Sequence, residues 1–166
     1  MISPEIIRRY PFFGRLSMDQ ISKLTDNAVE KVVEQDHFFY HEEDQLGEFF
    51  LILEGAAAIV FELPERDVDH KISDQFLRKL KTKDVIISTL GPGDLFGLSG
   101  LIPPYLANAG AKALSPCRVI TFNSSELVEM FAEDPEFGFI MTQKAAQTLS
   151  ERLRDIRVES LSTYTE

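Results

Sequence analysis

The sequence predicts a mainly β domain, a sandwich or a barrel, with helices before and after it in the chain. From about residue 29, seven short segments rich in β-branched and aromatic residues follow one another, separated by Gly, Pro or charged residues. Several short strands in succession are typical of a sandwich or barrel. The predicted strands are residues 29–35, 37–41, 48–55, 56–63, 84–90, 107–114 and 117–122.

Capping residues mark the flanking helices. Ser3, followed by a proline, predicts one short N-terminal helix, and Ser17 with Gln20 three residues later predicts a second. Asn123 begins another capping box after the last strand, and a long helix follows Asp134. The predicted division is N-terminal helices in 1–28, the barrel in 29–122, C-terminal helices in 123–158 and a tail in 159–166.

Composition limits the partners and the compartment. The 166 residues include 27 acidic and 17 basic ones, for a net charge of −10, so we expect no direct binding to nucleic acid or to an anionic membrane. No apolar run is long enough to cross a membrane and the first residues lack a signal-peptide pattern, which predicts a cytoplasmic protein. Cys117, the single cysteine, lies in a predicted strand, where a buried apolar role is expected.

Two segments within the β region have unusual composition. Residues 107–113 alternate strictly, with alanine at every odd position, and such an all-alanine face predicts a bulky group packed closely against it. Residues 62–84 are rich in charge, and Ser73 has the position of a cap for a short helix. We interpret residues 62–84 as a solvated hairpin connection, with a partner-docking element as the alternative.

Nothing in the chain is typical of an enzyme or a metal site. His37 and His41 share a strand face but lack a third ligand, and His70 lies in the charged stretch. The chain contains no Gly-x-Ser-x-Gly elbow, and a single cysteine in a predicted strand does not indicate a catalytic Cys/His arrangement. We therefore expect no enzymatic activity, no metal and no cofactor.

The C-terminal helix carries apolar or small residues at alternating steps of three and four. This spacing is typical of a helix that pairs with another helix. The helix pattern continues to Val158, too far to lie wholly on one small barrel, so we expect a homodimer through this helix. The predicted dimerisation residues are Phe139, Thr142, Ala146, Leu149, Leu153 and Ile156.

A glycine-rich stretch, LGPGDLFGLSGLIPP at 90–104, is the remaining motif. It misses the dinucleotide fingerprint by one residue, and no Lys-Ser or Lys-Thr follows to make a P-loop. LGPGDLFG, together with FFLILEG at 49–55 and the long helix that begins EDPEFGF at 133, resembles the cyclic nucleotide-binding domain of the catabolite activator protein and fumarate-nitrate regulator superfamily. The resemblance implies a β-jelly roll, dimerised through its C-terminal helix.

The resemblance also implies a ligand site. In that family a Glu directly after the last glycine holds the ribose hydroxyl, and an Arg at the start of the next strand pairs with the phosphate. Leu98 occupies the Glu position, and Ala107, or Asn108 if the register shifts by one residue, occupies the Arg position. The implied ligand-binding residues are Gly97, Leu98, Ser99, Gly100, Ala107, Asn108, Ala109 and Lys112.

Both charged contacts to a cyclic nucleotide are thus replaced, and Lys112 is predicted to point away from the alanine face. We expect a regulatory or sensory module that binds a small molecule other than a cyclic nucleotide, with a protein partner that reads the change. A scaffold without a ligand and a cyclic-nucleotide binder with atypical contacts are the alternatives. The eight residues ESLSTYTE after Val158 are too few for a helix-turn-helix, so direct DNA binding is not expected.

Overall fold

The computed structural model describes residues 1–64 and 82–162. Within these ranges the chain forms the predicted mainly β domain with helices on both sides of it in sequence. The predicted short helix at Ser73 lies outside the described residues. The helices are α1 (Pro4–Arg8), α2 (Met18–Asp26), α3 (Ser124–Glu133) and α4 (Pro135–Ser162), with 3₁₀ turns at Pro11–Phe13 and Leu98–Leu101.

Two antiparallel sheets of four strands each form the β domain. The first sheet has the order β1-β8-β3-β6 and the second has the order β2-β7-β4-β5. This is the jelly-roll architecture that the resemblance implied. The strands are β1 (Ala28–Val33), β2 (Phe38–Tyr40), β3 (Glu48–Glu54), β4 (Ala57–Pro64), β5 (Thr82–Leu90), β6 (Leu95–Phe96), β7 (Gly110–Ala113) and β8 (Cys117–Asn123).

The predicted helix caps are present. The Ser17 hydroxyl accepts a hydrogen bond from the Gln20 backbone N–H, and the Gln20 side chain accepts one from the Ser17 N–H. The Asn123 side chain caps α3 by accepting from the Glu126 N–H at 3.1 Å, but the Asn123 N–H donates to Asn27 O, so the reciprocal bond of the predicted capping box is not formed. Each such cap satisfies backbone donors that would otherwise lack partners, which is why these residues define helix starts.

Both faces of the first sheet contribute side chains to the core, although its outer strand β1 is largely exposed. Phe49, Leu51 and Phe122 pack in one core cluster with residues of the N-terminal helices and of α3 and α4. Phe50 and Val119 face the other way, into the interior between the two sheets. Each large apolar side chain buried in this way stabilises the fold by about 1.5–3 kcal/mol.

The all-alanine face is present in part. Ala111 and Ala113 are fully buried in the same cluster as Phe50 and Phe96, whose rings stack at 4.9 Å. This agrees with the expected close packing of bulky groups on the alanines. Cys117 is buried in the same cluster, as predicted for an apolar role.

The structure differs from the predicted strands at two places. The two-residue strand β6 was not predicted, because two residues are too short for a periodic signal. The strand predicted at 107–114 begins only at Gly110, because the Ala107 backbone pairs elsewhere: its N–H donates to Asp44 O at 2.9 Å and its carbonyl accepts from the Glu43 N–H at 2.8 Å.

Helix α4 is also longer than predicted. Its helical hydrogen bonding continues past Val158 to Ser162, so residues 159–162 belong to the helix and not to a tail. No helix within the described ranges is both long and apolar enough to span a membrane.

Candidate functional site

A cavity of about 280 Å³ lies between the second sheet, the glycine-rich segment and α4. Most of the side chains around it are apolar, and Arg152 is the one charged residue among those the structure describes there. The cavity is lined by Tyr40, Leu46, Ile59, Phe61, Ile87, Ser88, Gly97, Leu98, Ser99, Ala107, Asn108, Ala109, Leu149, Arg152, Leu153 and Ile156.

Gly97 shapes the wall of this cavity. Its φ of +76° lies in the left-handed region, and a Cβ there would lie 3.2 Å from Glu48 O and 3.3 Å from Phe49 Cα. A side chain would therefore be strained by both its backbone angle and its neighbours. The glycine allows the chain to leave β6 and enter the 3₁₀ turn, which brings Leu98 and Ser99 to the cavity.

Six of the eight implied ligand-binding residues line the cavity: Gly97, Leu98, Ser99, Ala107, Asn108 and Ala109. Gly100 lies outside it, packed so closely that an added Cβ would approach Ser124 Oγ to 2.8 Å. Leu98 is only 1% exposed and also packs in the core with the helices. Ala107 is 4% exposed. The side chains of Leu98 and Ala107 are uncharged, so neither can form an ion pair with a ligand.

Lys112 lies on the other side of the second sheet and is not among the cavity residues in the described ranges. Its ammonium group is 3.0 Å from Asp84 Oδ2 and 3.6 Å from Asp36 Oδ1, and it lies over the ring of Phe38 at 5.4 Å. The hydrogen bond to Asp84 is the main cause that raises the Lys112 pKa. These contacts explain why Lys112 cannot serve the cavity.

Arg152 is the cavity residue that sequence reasoning missed. It extends from α4 to the barrel, where its guanidinium donates a hydrogen bond to Leu95 O of β6. Burial lowers its pKa, against the weaker attraction of Tyr40, Asp94 and Glu151. Arg152 lies three residues after Leu149 and four before Ile156, so it shares a helix face with the predicted seam. This spacing could have indicated from the sequence that Arg152 lies near the barrel.

The guanidinium of Arg152 has no carboxylate partner in residues 1–64 and 82–162. Among the residues that the structure describes, no carboxylate lies within ion-pair distance of Arg152. A partly buried cation without a counter-charge is costly unless something else compensates it. The cavity therefore contains one positive charge that the described part of the chain leaves without a counter-charge.

Tyr40 also lines the cavity, and the Arg152 charge acts on its phenol. Burial raises the pKa of its phenol to about 12, although the Arg152 charge and a hydrogen bond with the Gly97 backbone act in the opposite direction. The phenol is therefore neutral at physiological pH and keeps its O–H. The cavity thus combines a neutral hydroxyl and a guanidinium with a mainly apolar wall.

His37 and His41 do not line the cavity. The His41 ring lies 2.9 Å from Glu62 through Nδ1 and stacks on Phe38, while His37 meets the Phe39 ring edge-on. In residues 1–64 and 82–162, no group of three His, Cys, Asp or Glu side chains has the arrangement of a metal site. His70 is outside the described residues.

The sequence model of the cyclic nucleotide-binding domain matches residues 30–134. The chain belongs to the cyclic nucleotide-binding domain family. The matched region contains α3 and the β domain except the first two residues of β1, and it includes all six cavity residues of the glycine-rich segment and the loop that follows it. The chain is thus a regulatory domain by family, and the cavity occupies the place where the resemblance implied a ligand.

Solved structures share this fold. A proposed cyclic nucleotide-binding protein from Geobacter metallireducens GS-15 is 27% identical with a TM-score of 0.75, covering 92% of this chain and 99% of that one. A cyclic nucleotide-binding domain from Methylobacillus flagellatus KT is 19% identical with a TM-score of 0.71, covering 96% and 80%.

The catabolite activator protein of Thermus thermophilus is 18% identical with a TM-score of 0.60, and the match covers 92% of this chain and 63% of that one. At this level of identity the likeness extends to the fold alone. No curated protein sequence matches the chain significantly.

Proposed function

We propose that this chain is a ligand-responsive regulatory module, in which a small molecule binds the cavity and α4 responds to it. The observation that carries this proposal is that Leu149, Arg152, Leu153 and Ile156 of α4 form one wall of the cavity, opposite the glycine-rich segment. A ligand that contacts both walls binds more tightly when α4 lies on the barrel than when α4 has moved away. This difference in affinity between two conformations is what a ligand-driven switch requires. A partner protein reads the position of α4.

We propose further that the ligand is not a cyclic nucleotide held in the manner of the family. Leu98 and Ala107 stand where the acidic and basic contacts would be. A hydrogen bond to a charged group contributes about 1.5–3 kcal/mol, so replacing the arginine alone weakens binding by roughly tenfold to a hundredfold. With one cation and no carboxylate among its described lining residues, the cavity also lacks an acid–base pair, and we propose no enzymatic activity.

A thermal-shift panel tests the ligand proposal, because a ligand specific for the folded state raises its stability. The panel contains cyclic AMP, cyclic GMP, small acids and apolar metabolites, and we expect a shift with members of the last two classes only. Ala109→Phe fills the cavity and should abolish the shift. Ala132→Phe, the same change at an exposed position of α3, should leave it intact.

A clear shift with millimolar cyclic AMP would contradict the loss of nucleotide binding. No shift with any member of the panel would favour the alternative role, a scaffold that acts through protein contacts. Exposed apolar side chains on β5, an outer strand of the second sheet, support the scaffold alternative. There Val85 and Ile86 are 39% and 52% exposed, beside Leu63 of β4 at 51%.

We propose that the module is a homodimer through α4. Of the predicted seam, Phe139 and Leu153 are 60% and 68% exposed, Ala146 is exposed, and Thr142, Leu149 and Ile156 are half-buried. Such an apolar stripe fits a second helix of the same kind. Because Leu149, Leu153 and Ile156 also line the cavity, a ligand would act directly on the dimer seam.

Light scattering tests the dimer. Phe139→Glu introduces a charge into the stripe away from the cavity and should give a monomer at tens of micromolar protein. Gln147→Glu adds the same charge at an exposed position of the same helix and should leave the dimer intact. A wild-type chain that is monomeric at this concentration would refute the dimer.

We propose no direct role in nucleic-acid binding. The net charge of −10 repels phosphate backbones. Lys31, Lys112 and Arg118 are already paired with carboxylates of this chain. A shift of labelled DNA in a gel at physiological salt would contradict this proposal.

A further inference from the structure

The guanidinium of Arg152, which has no carboxylate partner among the described residues, indicates the class of ligand that the cavity binds. Arg152 has one hydrogen-bond acceptor in the described part of the chain, the Leu95 carbonyl, and a guanidinium has five N–H donors. Arg152 lines a cavity whose described lining includes no carboxylate to accept from the remaining donors. The simplest group that satisfies them is an anion that arrives with the ligand.

We propose that the cavity binds a medium-chain aliphatic monocarboxylic acid, with its carboxylate on Arg152 and its hydrocarbon chain along the apolar wall. This inference rests on the proposed function and names the class of ligand at the same site. A carboxylate matches the planar fork of a guanidinium, which binds it through two parallel hydrogen bonds. One cation fits one negative charge.

Tyr40 supports the same head group. Its phenol lines the cavity together with Arg152, and because burial keeps its pKa at about 12, it retains a proton that can be donated to a carboxylate oxygen. A cationic ligand would instead be repelled by Arg152. A neutral ligand would leave the buried charge without compensation, which is unfavourable.

The rest of the cavity fits a hydrocarbon and not a nucleotide. Ile59, Phe61 and Ile87 approach from the second sheet, and Leu149, Leu153 and Ile156 approach from α4. Apart from Ser88, Ser99 and Asn108, the described lining offers few polar side chains, so most hydroxyl and ring nitrogen groups of a ribose and a base would be buried against these apolar side chains without partners. At about the 30 Å³ that one water molecule occupies in the liquid, the 280 Å³ cavity has room for about nine heavy atoms, carboxylate oxygens included, which is close to the size of octanoate.

Because Arg152 belongs to α4, binding of the ligand's carboxylate would also affect the position of this helix. The guanidinium already contacts β6, directly before the glycine-rich segment. A carboxylate on Arg152 with its chain against the second sheet would join α4 to the barrel through both charge and apolar contact. Loss of the acid would remove both.

Calorimetric titration of the full chain with octanoate, octanamide and cyclic AMP tests the inference. We expect octanoate to bind at least tenfold more tightly than octanamide, since the amide has nearly the same shape but lacks the charge and one of the two acceptor oxygens. Arg152→Leu should bring the two affinities to within about twofold of each other. Arg154→Leu, which removes an exposed charge from the same helix, should leave the tenfold preference unchanged.

Arg152→Lys keeps the positive charge and should retain a preference for octanoate of several fold, so the proposal stays testable even if Arg152→Leu does not fold. Equal wild-type affinities for octanoate and octanamide, or an unchanged preference in a folded Arg152→Leu, would overturn the inference. Tighter binding of cyclic AMP than of octanoate would overturn it and would leave a ligand in the cavity. If none of the three binds and the wider panel also gives no shift, the ligand-responsive function fails as well.

Discussion

The two halves of α4 lie in different surroundings although they form one continuous helix. Residues 135–145 carry the buried side chains of the helix, among them Phe137, Met141 and Ala145, each fully inaccessible to solvent. In residues 146–162 the apolar side chains are largely exposed, with Leu153 at 68% and Val158 at 62%. The first half anchors the helix in the core, and the second is held mainly by the cavity contacts.

The anchor is built from contacts that the second half lacks. The Asp134 carboxylate accepts hydrogen bonds from the Phe137 N–H at 3.1 Å and from the Gln20 side chain at 3.2 Å. The Phe131 and Phe137 rings meet edge to face at 5.0 Å. Regions with few buried apolar contacts open at lower free-energy cost than the core does. A ligand can therefore move the second half without unfolding the first.

The largest expected effect is a difference in the free energy of unfolding between alanine variants of two phenylalanines in α4. Phe137→Ala should lower the free energy of unfolding by about 3–5 kcal/mol, because it empties a buried site. Phe139→Ala, at a position 60% exposed, should change it by no more than about 0.5 kcal/mol. Urea unfolding at a concentration where the chain is monomeric measures both. Similar losses in the two variants would refute the division into an anchor and a responsive half.

A second prediction concerns Tyr40, which lies beside the responsive half. Because its pKa is about 12 in the folded protein and about 10 in the unfolded chain, the folded state binds the proton more tightly. The associated stability is present below pH 10 and is lost as the pH rises towards 12. The loss amounts to about 2–3 kcal/mol at most.

Tyr40→Phe has no phenol to ionise, so its free energy of unfolding should fall less steeply than that of the wild type between pH 10 and 12. Tyr10→Phe serves as the matched control outside the cavity. Parallel pH profiles for wild type and Tyr40→Phe would show that Tyr40 is not held neutral by its surroundings.

The smallest expected effects compare one small residue from each half. An added Cβ at Gly138 would lie 2.8 Å from Phe131 Cβ and 3.1 Å from Cγ, so Gly138→Ala should destabilise by about 1 kcal/mol despite the better helix propensity of alanine. Ser150→Ala, at an exposed position, should stabilise by a few tenths of a kcal/mol. Thermal unfolding measures both, and a gain in both variants would mean that Gly138 is not packed against Phe131.

Sequence reasoning succeeded where the cause is local. Ser17, Asn123 and Asp134 form the predicted helix starts, because a capping side chain acts on backbone groups two or three residues away. Strand β7 was predicted too long, because Ala107 has the alternation of a strand while its backbone pairs with Glu43 and Asp44. That pairing depends on residues more than sixty positions earlier in the chain.

The sequence by itself determined the fold class, the family, the helix caps and the replacement of the two charged family contacts by Leu98 and Ala107. These follow from residue types and short spacings. The tertiary structure decided which cation reaches the cavity: Lys112, close to the motif in sequence, pairs with Asp84 and Asp36, whereas Arg152 comes from α4 to contact Leu95. Charge can be read from a sequence, but the direction of a side chain depends on which distant segments pack beside it.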